Sequence, residues 1–243
     1  MAPPKALPLR PAQYAEHRLI TSILDSTYPP GAALPAERVL AEQIGVTRQT
    51  LRETLQRLAS EGWVTIHHGK STVVNDYWKA GGLRMLGTTA KYGEFLSKGF
   101  IRHLLEARMT IFPAVAGLAA KRASDTLIRH LEGYRDLDDK PRSFVEFDWK
   151  LQVLIAGLSG NPVYPLILND FASIFKTLAP WYFSLRQGRQ ASRLYYRKLH
   201  RALEHDPKDV ENIVREALAR SVRIWDDVTI VKEEYRGAME RLG

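Results

Sequence analysis

Apolar residues follow a helical spacing twice between residues 34 and 62. Leu40 and Ile44 lie four residues apart, so they share one face of a short helix. A second stripe has intervals of four and three residues and consists of Leu51, Leu55 and Leu58. Gly45 interrupts the pattern, and the hydroxyl of Thr47 can accept a free backbone N–H at the start of a new helix. The spacing therefore predicts two short helices joined by a tight turn.

The pattern changes from helix to strand after Glu61-Gly62, where glycine is typical of a helix end. Residues 63–66 and 71–74 are rich in β-branched and aromatic side chains. Between them, His68-Gly69 is a turn signal. These residues predict a small two-stranded wing that follows the two helices.

No strand pattern occurs from Lys91 onward, where long amphipathic segments follow one another. Two apolar stripes have helical spacing. The first contains Phe144, Phe147, Leu151, Leu154, Ile155 and Leu158, and the second contains Val210, Ile213, Val214, Ala217, Leu218 and Val222. Turn-forming residues predict helix ends at Ser124-Asp125, Lys140-Pro141, Ser159–Pro162, Gln187-Gly188 and Asp206-Pro207. We therefore expect about six or seven helices in a bundle large enough to enclose a cavity.

The predicted protein is mainly α-helical and has two domains. Residues 1–76 form a winged helix-turn-helix domain, which also includes a helix from Pro11 to Asp25. Residues 77–90 form a linker with some helix, to which Gly81-Gly82 gives flexibility. Residues 91–243 form an all-helical effector domain.

Composition narrows the class of protein. The chain has 243 residues and no cysteine, which excludes disulfides and thiolate metal sites. It has no secretion signal and no apolar stretch of the roughly 18 residues that a membrane span needs, so a cytoplasmic protein without a membrane partner is expected. The net charge is +8, but residues 1–76 carry 8 Lys and Arg against 7 Asp and Glu. Most of the net positive charge therefore lies in residues 77–243. This charge can bind an anionic ligand or belong to a solvated surface.

The second predicted helix carries polar residues that suit DNA recognition. Arg48 lies in its first turn and Arg52 lies one turn further on the same face, largely away from the leucine stripe. Arginine can donate two parallel hydrogen bonds to guanine O6 and N7 in the major groove. A helix with a buried leucine stripe and exposed arginines near its start is typical of a recognition helix.

Residues 34–70 read LPAERVLAEQIGVTRQTLRETLQRLASEGWVTIHHGK. This segment resembles the winged helix-turn-helix of GntR-type transcription factors. Its sequence is similar to that of the FadR type, the fatty-acid-responsive regulators. The resemblance implies a homodimer that binds a palindromic double-stranded DNA operator. It also implies DNA contacts from Arg38, Thr47, Arg48, Gln49, Thr50, Arg52, His68, Gly69 and Lys70. Gln49 stands where the family often has threonine, so a small change in contacts is expected.

The downstream half resembles the FadR type over shorter stretches, most clearly at Ser159–Asn169, SGNPVYPLILN. The resemblance implies no cofactor, and an effector ligand, long-chain acyl-CoA, whose apolar chain lies in the bundle. The residues that match the ligand site of the family are Arg108, Tyr182, Tyr196, Arg215, Ser221 and Trp225. Leu218 and Arg220 replace a glycine and a glutamate of the family, so a narrower cavity and an added phosphate contact are expected.

Two other functions remain as alternatives. Many other GntR-type bundles bind a divalent cation through one aspartate and three histidines, and respond to a small organic acid. Asp148 and His200 could supply two ligands, but Gln152 stands where a histidine is expected, so no metal site is predicted. An enzyme with catalytic residues is disfavoured, because the chain has no Gly-rich phosphate loop, no G-x-S-x-G and no H-E-x-x-H motif.

Overall fold

The predicted helix-turn-helix and its wing are present in the structure, a computed structural model that describes residues 10–67, 69–92 and 99–240. Residues 84, 90, 91 and 227–240 are described by their backbone alone. The chain divides into two compact units, Met1–Leu96 and Ser97–Gly243. Each unit has its own hydrophobic core.

The described residues of the first unit form five helices and two strands. These are α1 (Pro11–Leu24), α2 (Glu37–Ile44), α3 (Arg48–Glu61), β1 (Val64–Thr65), β2 (Val73–Val74), α4 (Tyr77–Ala80) and α5 (Leu83–Lys91). Helix α3 begins as predicted, because the Thr47 hydroxyl accepts the backbone N–H of Thr50 at 3.1 Å. It ends at Gly62, whose φ of +93° favours glycine. The strands pair antiparallel with Val64 opposite Val74, which confirms the predicted wing.

The predicted leucine stripe lies at the centre of the first unit. Leu51, Leu55 and Leu58 of α3 are buried, and α3 packs against α1 and α2. Fully burying a leucine side chain stabilises a fold by about 1.5–3 kcal/mol. The leucine side of α3 faces the core, whereas Arg48 and Arg52 lie outside this stripe and are exposed to solvent.

The segment predicted as a flexible linker, residues 77–90, packs onto the first unit. It contains α4 and α5, and Met85 of α5 is buried in the first core. A Cβ at Gly81 would meet the side chain of Met85 and lie 2.6 Å from the carbonyl oxygen of Tyr77. Glycine at this position therefore permits close packing, whereas the sequence pattern had suggested flexibility.

The described residues of the second unit form five α-helices. These are α6 (Phe100–Glu132), α7 (Pro141–Leu158), α8 (Val163–Ser184), α9 (Arg186–His205) and α10 (Val210–Glu240). Short 3-10 helices, Gly133–Asp136 and Pro207–Asp209, lie in two of the connections. The helix end predicted at Ser124 is a kink at Ala123, whose backbone is non-helical inside α6. For this reason the described residues of the second unit form fewer α-helices than the sequence predicts.

The connection between α8 and α9 also differs from the prediction. It consists of Leu185, whereas Gln187-Gly188 lies inside α9. A Cβ at Gly188 would meet the carbonyl oxygen of Tyr182 and lie 3.2 Å from its ring. Glycine is required here because α9 approaches Tyr182 closely, and it does not end the helix.

Both predicted apolar stripes of the second unit contribute to its core. The buried members are Phe144, Phe147, Leu151 and Ile155 of α7, and Val210, Ile213, Val214, Leu218 and Val222 of α10. The predicted fold class, mainly α with a winged helix-turn-helix followed by a helical bundle, is confirmed. Across the ranges that the structure describes, no helix has the length and apolar character needed to cross a membrane.

Candidate functional site

Most residues predicted to contact DNA are exposed on the first unit. Thr50 is half-buried, and His68 lies outside the described residues. We use the name recognition face for the predicted DNA-contacting residues that the structure describes: Arg38, Thr47, Arg48, Gln49, Thr50, Arg52, Gly69 and Lys70.

Two threonines organise the start of α3. The hydroxyl oxygens of Thr47 and Thr50 lie 2.9 Å apart, and Thr47 also caps the helix through the N–H of Thr50. The first turn of a helix carries a positive partial charge and free N–H groups, which favour anions. A DNA phosphate can therefore bind at this end of α3.

Carboxylates engage two arginines of the recognition face. Arg52 donates from Nη2 and Nε to Glu37 Oε2 at 2.8 Å and 3.2 Å, and these bonds raise the pKa of Arg52. Arg38 donates to Glu42 at 2.9 Å. Because these glutamates neutralise part of the recognition face, its positive charge comes mainly from the residues without such partners.

Arg48 and Lys70 are the cations of the recognition face without an acidic partner among the described residues. Both side chains are exposed. Gln49, next to Arg48, is held by a 2.7 Å hydrogen bond from its side-chain amide to Glu53. Arg48 and Lys70 are therefore the side chains most available to a DNA ligand.

Lys70→Ala is expected to weaken DNA binding about equally for every sequence, as the loss of one phosphate contact would. The slope of log affinity against log salt concentration should become shallower by about one unit. Anisotropy of a labelled duplex over a salt series measures both effects. Lys79→Ala is the control, because Lys79 is exposed but pairs with Asp76 at 2.7 Å on α4. An unchanged slope in Lys70→Ala would contradict a phosphate contact.

The second unit contains a cavity of about 190 Å³ that is lined by residues of α6 to α10. Most of the lining is apolar or aromatic, and four of the six predicted ligand residues contribute to it: Arg108, Tyr182, Ser221 and Trp225. Leu218 also lines the cavity. An apolar cavity with a few polar groups is typical of a small-molecule site.

A chain of hydrogen bonds lies along one side of the cavity. Arg108 Nη2 donates to Gln152 Oε1 at 2.9 Å. Gln152 Nε2 donates to Asp148 Oδ2 at 2.5 Å, and the Tyr196 hydroxyl donates to Asp148 Oδ1 at 2.9 Å. Arg108, Gln152 and Asp148 line the cavity, whereas Tyr196 is fully buried and does not contribute to the lining.

Burial shifts the pKa values of the two charged residues in this row of hydrogen bonds, Arg108 and Asp148. It lowers the pKa of Arg108 and raises the pKa of Asp148. The hydrogen bond from Tyr196 and the positive charge of Arg108 oppose the rise at Asp148. Burial also raises the pKa of Tyr196 well above its ordinary value, so its hydroxyl stays a donor. Arg108 and Asp148 therefore stabilise each other's charged forms in a region of low dielectric.

A second polar pair faces the cavity from α8 and α10. The Tyr182 hydroxyl lies 3.2 Å from Ser221 Oγ. Ser221 donates its own proton to the Ala217 carbonyl at 3.1 Å, so Tyr182 is the donor in the pair. The Trp225 ring lies beside this pair, with its centroid 6.1 Å from that of Tyr182.

Arg215 lies at the surface of the second unit. Its side chain is exposed on α10 and donates to the Met109 carbonyl at 3.3 Å. Neither Arg215 nor Tyr196 contributes to the cavity lining. The structure thus brings the other four predicted ligand residues together and leaves Arg215 at the surface.

Asp148 and Gln152 line the cavity, a position that the sequence did not predict for them. The sequence pattern suggested Asp148 as a metal ligand and Gln152 as the replacement of another. The two residues are four positions apart on α7, so they share one face with the buried Leu151 and Ile155. Two polar residues at helical spacing on the otherwise apolar face of α7 were the sequence signal that could have predicted a polar site in the bundle interior.

Both units match families of known proteins. Residues 11–74 match the family described as bacterial regulatory proteins, gntR family, and residues 75–233 match the FadR C-terminal domain. The chain belongs to the FadR type of the GntR family. The FadR C-terminal domain begins directly after β2, so it includes α4 and α5 as well as the helical bundle.

Similar proteins support this membership. The FadR-type chain is 37% identical over 219 residues to the fatty acid metabolism regulator protein of Shewanella halifaxensis, covering 90% of this chain and 92% of that protein. It is 39% identical over 216 residues to the protein of that name from Shewanella sp. MR-7, covering 88% and 90%. The solved structure of Lar, described as controlling the Listeria monocytogenes agr system, matches at 16% identity with a TM-score of 0.57, covering 89% and 99%. At this identity the likeness shows the fold alone.

Membership of the GntR family makes the FadR-type chain a regulatory protein and not an enzyme, as predicted. The metal alternative is not supported by the geometry of its two candidate ligands. Asp148 accepts hydrogen bonds at both oxygens, and His200 Nδ1 lies 3.2 Å from Glu204. In the part of the chain with described side chains, no three His, Asp or Glu residues converge as a metal site requires.

Proposed function

We propose that this FadR-type protein regulates the transcription of fatty acid metabolism genes in the cytoplasm. In this proposal a homodimer binds a palindromic double-stranded DNA operator through the recognition face, and long-chain acyl-CoA releases it. Relatives at 37% and 39% identity are named fatty acid metabolism regulator proteins, which supports fatty acid metabolism genes as the proposed targets. The observation that carries the ligand proposal is the apolar cavity with Arg108 in its lining.

Arg48 is the best-placed residue for reading a base. It is exposed in the first turn of α3, and no described residue engages its guanidinium. Both arms of the side chain are therefore available for guanine O6 and N7. Two copies of α3 related by a two-fold axis would read the two halves of a palindrome.

The cavity suits an acyl chain. Aromatic and aliphatic side chains form most of its lining, and each methylene buried there contributes about 0.8 kcal/mol. Arg108 can donate to a carbonyl oxygen near the thioester. The phosphates of coenzyme A would stay in solvent, where the exposed Arg215 and Arg220 of α10 can form charge-assisted bonds with them.

Ligand binding has a physical route to a change in the bundle. A ligand carbonyl that draws the guanidinium of Arg108 toward itself would break the bond from Arg108 to Gln152. Arg108 lies on α6 and Gln152 on α7, so breaking this bond releases one contact between the two helices. A ligand shifts the DNA-binding equilibrium only by its difference in affinity for two conformations. The hydrogen-bond chain is our candidate for that difference.

Operator release against ligand chemistry tests the proposal. Purified protein bound to a labelled duplex is titrated with acyl-CoAs of increasing length, free fatty acids, coenzyme A, and small carboxylates with a divalent metal. We expect release by long-chain acyl-CoA, poor release by the free fatty acid or free coenzyme A, and an intact thioester afterwards. Release by a small carboxylate with metal, and none by acyl-CoA, would contradict the proposed effector.

A small organic acid is the second candidate effector. Arg108 directs a guanidinium toward the cavity, and a carboxylate can accept two parallel bonds from such a group. The mostly apolar lining favours the acyl chain, because a small acid would leave that surface without a partner. The same titration separates the two candidates.

Leu218→Gly is expected to extend the range of acyl lengths that release DNA. Leu218 is buried and lines the cavity, and its side chain has four carbon atoms, so the optimum should lengthen by roughly two to four methylenes. Operator release against chain length measures the shift. Ile213→Gly is the matched control, because Ile213 is buried on α10 but does not line this cavity. The same optimum in wild type and Leu218→Gly would show that Leu218 does not limit the ligand.

A further inference from the structure

Glu37 and Arg52 form an ion pair between two helices of the first unit. Arg52 Nη2 lies 2.8 Å from Glu37 Oε2, and Arg52 Nε lies 3.2 Å and 3.4 Å from the two carboxylate oxygens. Glu37 is the first residue of α2, and Arg52 lies in the second turn of α3. The pair thus fixes one edge of the guanidinium to the neighbouring helix.

The opposite edge of this guanidinium is available to another molecule. Arginine has five N–H donors in a rigid fork, and Glu37 occupies Nε and one side of Nη2. No bond within the described part of the chain engages Nη1. Arg52 is exposed, so Nη1 and the outer N–H of Nη2 can donate to two acceptors on one base, such as guanine O6 and N7.

This pair differs from the other arginine–glutamate pair of the recognition face. Arg38 and Glu42 lie one turn apart on α2, and their side chains are 68% and 64% exposed. Surface pairs of this kind contribute little and exchange readily with water. The Glu37 side chain is only 28% exposed, so it has fewer alternative positions. Glu37 therefore restricts Arg52 more than Glu42 restricts Arg38.

We propose that Glu37 is a positioning residue that sets the DNA specificity of the recognition face. This inference rests on the proposed function, because it requires Arg52 to face DNA. Glu37 holds the fork of Arg52 for a base edge, so less side-chain freedom is lost when the base contact forms. Its negative charge also lowers the attraction of Arg52 for phosphates, which carry no sequence information. Both effects raise operator affinity relative to non-specific affinity.

Glu37→Ala is expected to change two affinities in opposite directions. Operator affinity should fall about 5- to 10-fold, because Arg52 loses its fixed orientation. Affinity for a scrambled duplex should rise about 2- to 5-fold, because Arg52 becomes free to contact a phosphate. The salt slope of non-specific binding should steepen by about one unit for the same reason. A merely structural role for Glu37 would lower both affinities together.

The test uses the full chain and two duplexes. One duplex is selected by the wild-type protein from a random pool, and the other is its scrambled version. Anisotropy titrations over a salt series compare the wild type, Glu37→Ala, Arg52→Ala, the double variant and the matched control Glu42→Ala. Thermal unfolding verifies that each variant is folded. We expect Glu37→Ala to have no further effect on discrimination in the Arg52→Ala background, and Glu42→Ala to leave discrimination unchanged.

The outcomes separate this inference from the proposed function. If the wild type selects no sequence, both are wrong. If the wild type discriminates but Glu37→Ala lowers both affinities together, or behaves like Glu42→Ala, the inference is overturned and the proposed function stands. Independent effects of Glu37 and Arg52 in the double variant, or unchanged discrimination in Arg52→Ala, overturn the inference as well.

Discussion

Arg48→Ala is expected to remove specific operator binding while leaving the fold intact. The side chain is exposed in the first turn of α3 and bonds to no described residue, so its loss removes DNA contacts only. Losing one bidentate guanine contact weakens binding by about 1–3 kcal/mol, or about 5- to 150-fold. A dimer on a palindrome loses the contact in both halves, which brings the expected loss to about 25-fold or more. Gel shifts with operator and scrambled duplexes, together with circular dichroism, measure the effect.

Arg57→Ala is the matched control for this variant. Arg57 follows Arg48 by nine residues on α3, which places it about 180° around the helix. It pairs with Glu16 of α1 at 2.6 Å. The control removes the same charge from the far side of the helix, so we expect a small change that is similar for both duplexes. Equal losses in the two variants would mean that net charge, and not base reading, determines affinity.

The DNA-binding half of this protein could be predicted because its signals are local. The cap at Thr47, the stripe through Leu51, Leu55 and Leu58, and the glycine after Glu61 each act within one or two helical turns. The structure contains each of these features at the predicted residue. Local signals do not specify the partners of exposed side chains, so the ion pair between Glu37 and Arg52, 15 residues apart, was not predicted.

The interior of the helical bundle was harder to predict, because its polar contacts join distant residues. Arg108 and Gln152 are 44 positions apart, and Asp148 and Tyr196 are 48 apart. Helical spacing identifies which face of α7 is buried, but it does not identify the residue that meets that face. Glycine was ambiguous for a similar reason, since the residue that ends a helix is also the one that permits close packing, as at Gly188.

Arg108→Met is expected to destabilise the second unit by about 3 kcal/mol at neutral pH. Arg108 and Asp148 do not contact each other directly, but the loss of one charge leaves the other less compensated, and for a directly paired buried charge this costs about 3–5 kcal/mol. We expect the low end of this range, because Gln152 separates Arg108 from Asp148. Methionine keeps much of the volume of the arginine stem. The loss of stability therefore results from the missing charge more than from poorer packing. Chemical denaturation of the full chain over a series of pH values measures it.

The difference from the wild type should shrink as the pH falls. Burial already raises the pKa of Asp148 above its model-compound value of 3.8, and loss of the Arg108 charge raises it further. A carboxyl group with a higher pKa in the folded than in the unfolded state binds more protons when folded, throughout the interval between the two values. Stability relative to the wild type therefore increases as the pH decreases through the folded pKa of Asp148 in the variant.

Asp148→Asn added to Arg108→Met provides the control. The amide oxygen can still accept the Tyr196 hydroxyl, which bonds to Asp148 at 2.9 Å, but the titrating group is gone. We expect the double variant to be more stable than Arg108→Met at neutral pH and to lack its pH-dependent recovery, because the two residues act as one unit. If Arg108→Met were as stable as the wild type at every pH, the charges of Arg108 and Asp148 would not stabilise each other in the folded protein. A variant more stable than the wild type would instead show that Arg108 is an uncompensated cation at the cavity, whose partner a negatively charged effector would supply.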